Sequence, residues 1–374
     1  MTTPRRAPEV LLRRYWDDPD TPLVTAGLSA LSVGYRGALR VRDLAYRWRV
    51  LRTGRLPAVV VSVGNLTLGG SGKTPTVELT VRTLQELGAH PAVVSRGYGR
   101  STRGVRVVAD REAVRAAARL AGDEPLLLAE RLPGVPVVVG ENRYEAGRVA
   151  IEQHGATALV LDDGFQHRTL AKDLEILVVQ GRAPWGNARV FPRGMLREPL
   201  SALRRAHLVL VTNPPDAAQV AAVTETVRRY NSRAPVLTAR YSLEDALETQ
   251  SGRRVPVGEL AGRRLLAFAG LGSPLGFADT LDSIGIRRVG FVELPDHHWF
   301  TARDVQELTR DGRASGAQGL VTTEKDWVRI RDLAPSTLPL WVLPVRLALE
   351  SGRDLWQQAL AAALATHPLG RSVS

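Results

Sequence analysis

The chain has 374 residues, of which 44% are hydrophobic, and it contains no cysteine. This length allows two domains with substantial cores, and the absence of thiols excludes disulfides and thiolate metal sites. The formal net charge of +12 indicates an anionic partner, namely a nucleic acid, an anionic membrane or a phosphorylated substrate. Of its 50 basic residues only Lys73, Lys172 and Lys325 are lysines. Biased base composition explains the preference for arginine, but it does not explain the position of Lys73 described below.

The first predicted element is a basic, partly apolar leader over residues 1–56. Residues 21–35 carry no charge, but this run is short for a membrane span and better fits an interfacial segment. Arginines then alternate with apolar residues over 36–55, which favours an amphipathic helix on an anionic membrane. An ordinary surface helix and a nucleic-acid-binding arm are the alternatives, although no nucleic-acid module follows. No cleavable signal peptide is predicted.

Strand and helix patterns alternate along the rest of the chain. Strands are predicted at 58–63, 92–95, 105–109, 135–139, 158–161, 175–179 and 208–212, with helices at 74–87, 124–132, 141–153 and 216–230 among them. A second alternation begins at residue 265, with strands at 265–269, 289–294, 319–323 and 340–345, helices at 274–284 and 301–313, and a final helix through residue 363. This order predicts a doubly wound, mostly parallel α/β sheet, with a smaller second α/β domain. The predicted parts are the membrane-associating leader 1–56, a core 57–240 and a smaller C-terminal α/β domain 241–374.

A phosphate-binding loop is the strongest single motif. The loop residues follow the first strand and open a helix, and they are Thr67, Leu68, Gly69, Gly70, Ser71, Gly72, Lys73 and Thr74. Glycines let backbone N–H groups surround phosphate oxygens, the lysine reaches the outer phosphates and the threonine can ligate Mg²⁺. The motif therefore predicts that residues 57–240 form a nucleotide-binding core of the P-loop NTPase type. Thr67 replaces the first glycine of the strict pattern. Partition-type ATPases carry a further lysine where this chain has Leu68, so that class is disfavoured.

A second motif places Asp162 and Asp163 at the end of an apolar strand, beside the expected nucleotide. Carboxylates in this position form a Walker-B element that holds Mg²⁺ directly or through water. An Asp-Asp-Gly turn without a ligand is the alternative. Gln166 and His167 follow, and they are expected either to position phosphate or substrate or to cap the loop.

Five weaker motifs lie at predicted strand ends or helix entries, where α/β folds place active sites. They are Ser-Arg-Gly-Tyr-Gly with Arg96, Gly-Asp-Glu-Pro with Asp123, Arg-Glu-Pro with Arg197 and Glu198, Asp-His-His with His297 and His298, and Thr-Glu-Lys-Asp with Lys325. Each has a structural alternative, such as a turn for the first or a helix N-cap for Asp123.

Taken as an ordered set between about residues 62 and 326, these motifs resemble the tetraacyldisaccharide 4'-kinase family of the lipid A pathway. Thr67 at the start of the loop is usual in that family. The resemblance implies transfer of the γ-phosphate of ATP, with Mg²⁺, to the 4'-hydroxyl of a tetraacylated glucosamine disaccharide 1-phosphate.

The resemblance also implies roles for single residues. Asp123 would accept the hydroxyl proton, and His297, which directly follows Asp296 as in the family, would orient it or share its charge. The implied metal or nucleotide-site residues are Thr74, Asp162, Asp163 and Glu198. The candidates for contact with substrate or phosphate are Arg96, Gln166, His167, Arg197 and Lys325.

The implied partners are ATP, the acylated disaccharide 1-phosphate lipid and an anionic membrane surface, with no nucleic acid and no obligate protein partner inferred. The expected location is the cytoplasmic face of the bacterial inner membrane, peripheral or monotopic. The main alternative is a switch-type ATPase or GTPase that does not phosphorylate lipid. The Asn-Lys-x-Asp signal for guanine is absent, since Thr323 and Glu324 precede Lys325. A nucleic-acid-dependent NTPase and a non-enzymatic membrane adaptor are the remaining alternatives.

Overall fold

Two mostly parallel β-sheets form the framework of the chain, and a computed structural model describes it over residues 22–270, 274–296, 298–333 and 337–366. The helices are α1 (Pro22–Arg47), α2 (Lys73–Glu86), α3 (Ala118–Ala121), α4 (Asp123–Arg131), α5 (Arg143–His154), α6 (Ala217–Tyr230), α7 (Pro274–Ser283), α8 (Ala302–Ala314), α9 (Glu324–Ile330) and α10 (Arg353–Thr366). The strands are β1 (Val59–Gly64), β2 (Pro91–Ser95), β3 (Arg106–Ala109), β4 (Val137–Val139), β5 (Ala158–Asp162), β6 (Leu174–Gln180), β7 (Leu208–Thr212), β8 (Val236–Leu243), β9 (Ala246–Glu248), β10 (Arg254–Val255), β11 (Arg264–Ala269), β12 (Arg287–Glu293), β13 (Gly319–Thr323), β14 (Leu340–Leu343) and β15 (Val345–Leu349).

The larger sheet has nine strands in the order β15-β8-β7-β6-β1-β5-β2-β4-β3. Strand β1 pairs in parallel with β5 on one side and β6 on the other, so it lies at the centre. Only the edge pairs β15 with β8 and β3 with β4 are antiparallel. In β1 the side chains of Val59, Val61 and Val63 enter one hydrophobic cluster and that of Val60 another. Because both faces are covered, this strand reads as a continuous apolar run.

The smaller sheet has six strands in the order β10-β9-β14-β13-β11-β12. Strands β14, β13, β11 and β12 pair in parallel with one another. Strand β9 pairs antiparallel with β14, and β10 pairs antiparallel with β9. Its core contains Phe268 and Phe300, whose rings meet edge to face at 5.7 Å between centroids. The predicted fold class, a mostly parallel P-loop-type sheet with a second α/β domain, is confirmed.

The end of the chain returns to the larger sheet. Pro344 separates the predicted strand 340–345 into β14, which belongs to the smaller sheet, and β15, which pairs with β8. Helix α10 follows, and its buried Trp356 donates a hydrogen bond to Thr83 of α2 at 3.1 Å. The larger unit therefore includes residues 345–366, which the predicted partition had assigned to the C-terminal domain. A proline cannot donate to a ladder, which is why the strand divides at this point.

Helix α1 has one docked face and one open face. On the docked face, Ser32 donates to the carbonyl of Val190 at 2.8 Å and Tyr35 donates to the carbonyl of Arg197 at 3.0 Å. On the open face, large apolar side chains are exposed, including Leu31 at 63% and Val33 at 67%. Within the described residues no helix combines the length and the apolarity that a membrane span requires.

Candidate active site

The predicted phosphate-binding loop connects the central strand β1 to helix α2. Gly69 and Gly72 have positive φ angles of 99° and 87°, which suits residues without a Cβ. A Cβ on Gly72 would lie 2.4 Å from the Tyr241 hydroxyl oxygen. Thr67 has no positive φ and instead forms a bridge with Leu196. The loop conformation therefore does not need a glycine where Thr67 departs from the strict pattern.

Lys73 is the first residue of α2, and its ammonium lies near polar groups that directly follow β1 and β5. Its Nζ lies 3.4 Å from the Asn65 side-chain oxygen and 3.8 Å from Asp163 Oδ1. Asn65 in turn donates to the backbone oxygen of Thr67 at 2.8 Å. The lysine is thus held over the mouth of the loop, where the outer phosphates of a nucleotide are expected.

Two consecutive carboxylates end strand β5, and they differ in environment. Asp162 accepts a hydrogen bond from Ser95 at 3.0 Å, while its buried Oδ1 has no hydrogen-bond partner among the residues that the structure describes. Burial, together with the nearby carboxylates of Glu124 and Asp163, raises the pKa of Asp162 to about 7. Asp163 has a left-handed φ of 52° and is paired with Arg197 at 2.7 Å. Although its burial acts in the opposite direction, the cations Lys73 and Arg197 lower the pKa of Asp163.

The Arg-Glu-Pro loop packs beside the phosphate-binding loop. The amide of Arg197 donates to the carbonyl of Leu66 at 2.7 Å, so the two loops are joined through their backbones. Glu198 is buried between two arginines, and it accepts hydrogen bonds from Arg42 of α1 and from Arg205. Its two oxygens are therefore both occupied by guanidinium groups.

Further polar side chains lie around the end of β5. Gln166 donates to the carbonyl of Asn65 at 2.9 Å, and His167 Nε2 lies 2.7 Å from the Thr169 hydroxyl. Burial and the positive charges of Arg143, Lys172 and Arg96 lower the pKa of His167 to about 4, so its imidazole is neutral at neutral pH.

The Gly-Asp-Glu-Pro motif opens α4 and meets helix α9 of the smaller unit. Asp123 Oδ2 accepts a hydrogen bond from Arg329 Nε at 2.8 Å, and Glu124 accepts one from Lys325 at 2.9 Å. Burial raises the pKa of Glu124, but the nearby cations Lys325 and Lys73 together outweigh it, so the net shift of this pKa is downward. The reciprocal attraction of Glu124 raises the pKa of Lys325 despite its burial. These contacts between α4 and α9 are called the seam below.

One large cleft brings most of the predicted residues together. Its volume is about 1130 Å³ and its lining runs from the phosphate-binding loop to the seam. The predicted residues that line it are Leu68, Gly69, Gly70, Ser71, Gly72, Lys73, Thr74, Arg96, Asp162, Asp163, Gln166, His167, Arg197, Glu198 and Lys325. Thr67 and Asp123 are buried and are not part of this lining. His297 lies outside the described residues, while its neighbour His298 is 3.2 Å from Asp304 at the start of α8.

The structure adds cleft residues that the motifs did not identify. Tyr35, Leu39 and Arg42 of α1 form part of the wall, although the leader was predicted only as a membrane-associating segment. Arg143 also lines the cleft, and its position after β4 is the kind of strand end that could have indicated it. The sequence carried no such signal for the docked face of α1, because apolar residues suit contact with protein and contact with a membrane equally well.

The strand–loop–helix unit at the head of this cleft, with Lys73 over its mouth and carboxylates on the neighbouring strand, defines a P-loop nucleotide-binding enzyme of the α/β class. A family model described as tetraacyldisaccharide-1-P 4'-kinase matches residues 24–365. The chain belongs to this family of kinases.

Individual relatives agree over nearly the whole length. A tetraacyldisaccharide 4'-kinase of Syntrophus aciditrophicus is 38% identical over 351 residues, which cover 90% of this chain and 94% of the relative. One from Anaeromyxobacter sp. (strain K) is 40% identical over 364 residues, covering 96% of each. The crystal structure of "apo" form LpxK from Aquifex aeolicus in complex with ATP matches with a TM-score of 0.73 and 30% identity, over 91% of this chain and 99% of that one.

Proposed function

We propose that this kinase transfers the γ-phosphate of ATP to the 4'-hydroxyl of a tetraacyldisaccharide 1-phosphate within the cleft described above. The observation that carries the proposal is that polar nucleotide-site residues and apolar residues of α1 line the same cleft. The phosphate-binding loop, several carboxylates and several cations line it, and Tyr35 and Leu39 of α1 provide an apolar part of its wall. A polar nucleotide site next to an apolar wall suits an acceptor that has both a sugar headgroup and acyl chains.

Lys73 and the backbone of the loop would bind the phosphates of ATP. Phosphoryl transfer depends mainly on positioning and on charge stabilisation, and Lys73 supplies a positive charge at the mouth of the loop. Arg96, Arg143 and His167 border the same space from the β2, β4 and β5 side. In this proposal they contact phosphate groups of the nucleotide or of the acceptor, with His167 neutral.

Thr74 and Asp162 are the residues proposed to hold Mg²⁺. Within the described part of the chain, the buried Oδ1 of Asp162 lacks a hydrogen-bond partner, which suits an oxygen that ligates a cation when one is bound. The described residues contain no cluster of three or more metal-binding side chains, and Mg²⁺ in such sites takes most of its ligands from phosphates and water. The bound ion would neutralise phosphate charge. Asp163 and Glu198 are proposed to fix nearby arginines, because both are already paired with them.

Asp123 is proposed to accept the proton of the 4'-hydroxyl, with His297 assisting it. A sugar hydroxyl is a poor nucleophile, so a nearby base assists its attack. In the structure Asp123 is buried at the entry of α4, next to Glu124, which does line the cleft. Access of the acceptor to Asp123 is therefore part of this proposal.

The decisive experiment is a transfer assay in detergent micelles with labelled ATP, Mg²⁺ and tetraacyldisaccharide 1-phosphate. Lys73→Ala should lower the rate by at least about 10²-fold, the size of effect found when one transition-state donor is removed. Arg240→Gln is the control, because Arg240 lies on the exposed face of β8 and pairs with Glu350. Hydrolysis of ATP by the wild type without label in the lipid would instead favour a switch-type NTPase.

The open face of α1 is proposed to dock on the anionic cytoplasmic face of the inner membrane, so that the enzyme reaches a lipid that stays in the bilayer. Its exposed apolar side chains would enter the interface, while its arginines meet the headgroups. Deletion of residues 1–50 is not a clean test, because it also removes Tyr35, Leu39 and Arg42 from the cleft.

A sharper test replaces only the open face. Leu31→Ser and Val33→Ser should each weaken binding to vesicles that contain anionic lipid by about tenfold, as expected for roughly 1.5 kcal/mol of lost apolar burial. ATP binding should remain unchanged. Leu87→Ser serves as the control, since Leu87 is exposed beyond the end of α2. Unchanged vesicle binding of the Leu31 and Val33 variants would remove the support for this docking face.

A further inference from the structure

Arg329 reaches across the seam to the proposed catalytic carboxylate. It belongs to α9 of the smaller unit, and its side chain is completely buried. Its Nε donates to Asp123 Oδ2 at 2.8 Å, although the two residues are 206 positions apart in the sequence. The contact therefore exists only when the two units are packed against each other through α4 and α9.

Of the two terminal guanidinium nitrogens of Arg329, Nη1 contacts three acceptors, whereas Nη2 is buried without a hydrogen-bond partner among the described residues. Its Nη1 lies 3.4 Å from Asp326 Oδ1, 3.4 Å from the carbonyl of Gly270 and 3.3 Å from the carbonyl of His298. Asp326 is itself fixed, because its Oδ1 accepts from the amide of Gly270 at 3.1 Å and its Oδ2 accepts from the Thr323 hydroxyl at 2.7 Å. Arg329 is therefore held in place by contacts within the smaller unit, in addition to its contact with Asp123.

Stability alone is a poor explanation for this arrangement. Buried ion pairs are commonly no more stabilising than apolar side chains of the same volume, because the charges lose their hydration. A guanidinium is, however, well suited to setting direction, since its planar donors are fixed relative to one another. A charge-assisted hydrogen bond from such a group restrains the position of the carboxylate oxygen that accepts it.

We propose that Arg329 is a positioning residue for phosphoryl transfer, which fixes the direction of the Asp123 carboxylate relative to the acceptor hydroxyl. This inference rests on the proposed function, in which Asp123 accepts the hydroxyl proton. The smaller unit then contributes to the reaction through α9, in addition to forming a wall of the cleft.

The main experiment measures steady-state kinetics of Arg329→Lys and Arg329→Gln in the micelle assay. The glutamine variant should lose about 10²-fold in kcat, the scale expected when a reacting group is misplaced by about 1 Å. The KM values for ATP and for lipid should change less than twofold. The lysine variant should recover part of kcat, because it restores the charge but not the planar donor set.

A double-mutant cycle separates positioning from a general structural role. In an Asp123→Asn background, Arg329→Lys should leave the residual kcat unchanged, because the group that it positions is already disabled. An equal loss of kcat in both backgrounds, or a loss expressed in KM, would overturn the inference. Arg331→Gln is the matched control, since Arg331 pairs with Glu130 across the same seam away from Asp123, and it should keep wild-type kcat.

Because Arg329 is buried, its loss leaves two carboxylates without their cation and can prevent folding. The variant Arg329→Gln with Asp326→Asn removes one of these charges and is the second test. This double variant should show a cooperative thermal unfolding transition, as a folded protein does, and it should still have the reduced kcat. A kcat equal to that of the wild type would overturn the inference. If the wild type itself forms no phosphorylated lipid, the proposed function fails. If the wild type phosphorylates the lipid and the Arg329 variants have the same kcat as the wild type, the proposed function stands and the positioning role fails.

Discussion

The two ends of the cleft are built in different ways. At the nucleotide end, the chain from β1 through the loop to α2 supplies backbone groups and Lys73 within a few consecutive residues. At the seam, Asp123 and Glu124 of α4 meet Arg329 and Lys325 of α9, which lie about 200 residues further along the chain. The first end depends on local backbone conformation, and the second depends on the packing of two units against each other.

This difference determines which substitutions each end of the cleft tolerates. A backbone-built site is sensitive to any added Cβ where the loop turns back on itself, but not to most side-chain changes nearby. A seam of ion pairs is sensitive to the removal of one partner, because the other charge is then left without compensation. Substitutions at Gly72, Lys325 and His167 test this contrast.

Gly72→Ala should be the most damaging single change at the nucleotide end. It places a Cβ 2.4 Å from the Tyr241 hydroxyl at a φ of 87°, so the free energy of unfolding should fall by about 3 kcal/mol. Gly70→Ala is the matched control, because a Cβ there meets nothing within 4 Å. Denaturant unfolding measures both variants, and equal stability of the two would contradict the role of backbone shape.

Lys325→Met should have a medium effect at the seam. It leaves Glu124 without its partner, and a loss of about 1–3 kcal/mol in unfolding free energy is expected for a largely buried pair. The double variant with Glu124→Leu should recover most of this stability, because neither charge then remains. Arg182→Gln breaks the exposed pair with Asp279 and should change stability by less than about 0.5 kcal/mol. Additive losses in the double variant would show that the pair does not act as a unit.

His167→Gln should have the smallest effect near neutral pH, and its effect on stability should appear only under acid conditions. The folded protein holds the pKa of His167 near 4, below the value of about 6.5 expected in the unfolded chain. Between these two values the unfolded state binds the additional proton, so stability falls as the pH is lowered through this window. Thermal melting of wild type between pH 7 and pH 4 should therefore show a steeper decline than melting of the glutamine variant. Parallel curves would mean that His167 is protonated in both states alike.

The same contrast explains what could be predicted from the sequence. Residues 58–63 and the loop that follows predicted the strand and the helix that flank the phosphate-binding loop, because the signal and the structure are both local. The pairing of Arg329 with Asp123 had no comparable signal, since an ion pair between distant positions leaves no pattern in either segment. The motif residue Lys325 was identified, but its partner Glu124 was noticed only as part of a neighbouring motif.

Two other differences have simple physical reasons. Apolar character continues through residues 340–345, which hid the change of sheet at Pro344, although the proline itself was an available signal. In the leader, a docked face and an open face share one helix, and amphipathic patterning alone does not say what either face contacts. The contacts of Tyr35 and Arg42 with the loop after β6 settle this question for one face.

The return of the chain to the larger sheet has a consequence for how this architecture can be rearranged. The chain leaves β8 and re-enters at β15, and at this point the Glu244 amide donates to the Pro344 carbonyl at 3.0 Å. The six-stranded unit is thus inserted at the tip of a two-stranded hairpin, where excision or exchange of a whole module is best tolerated. A short turn joining residues 244 and 344 would leave all nine strands of the larger sheet in one continuous polypeptide. The smaller unit can therefore be exchanged as a whole module between relatives. Such an exchange would replace the α9 side of the seam while retaining the recipient's phosphate-binding loop.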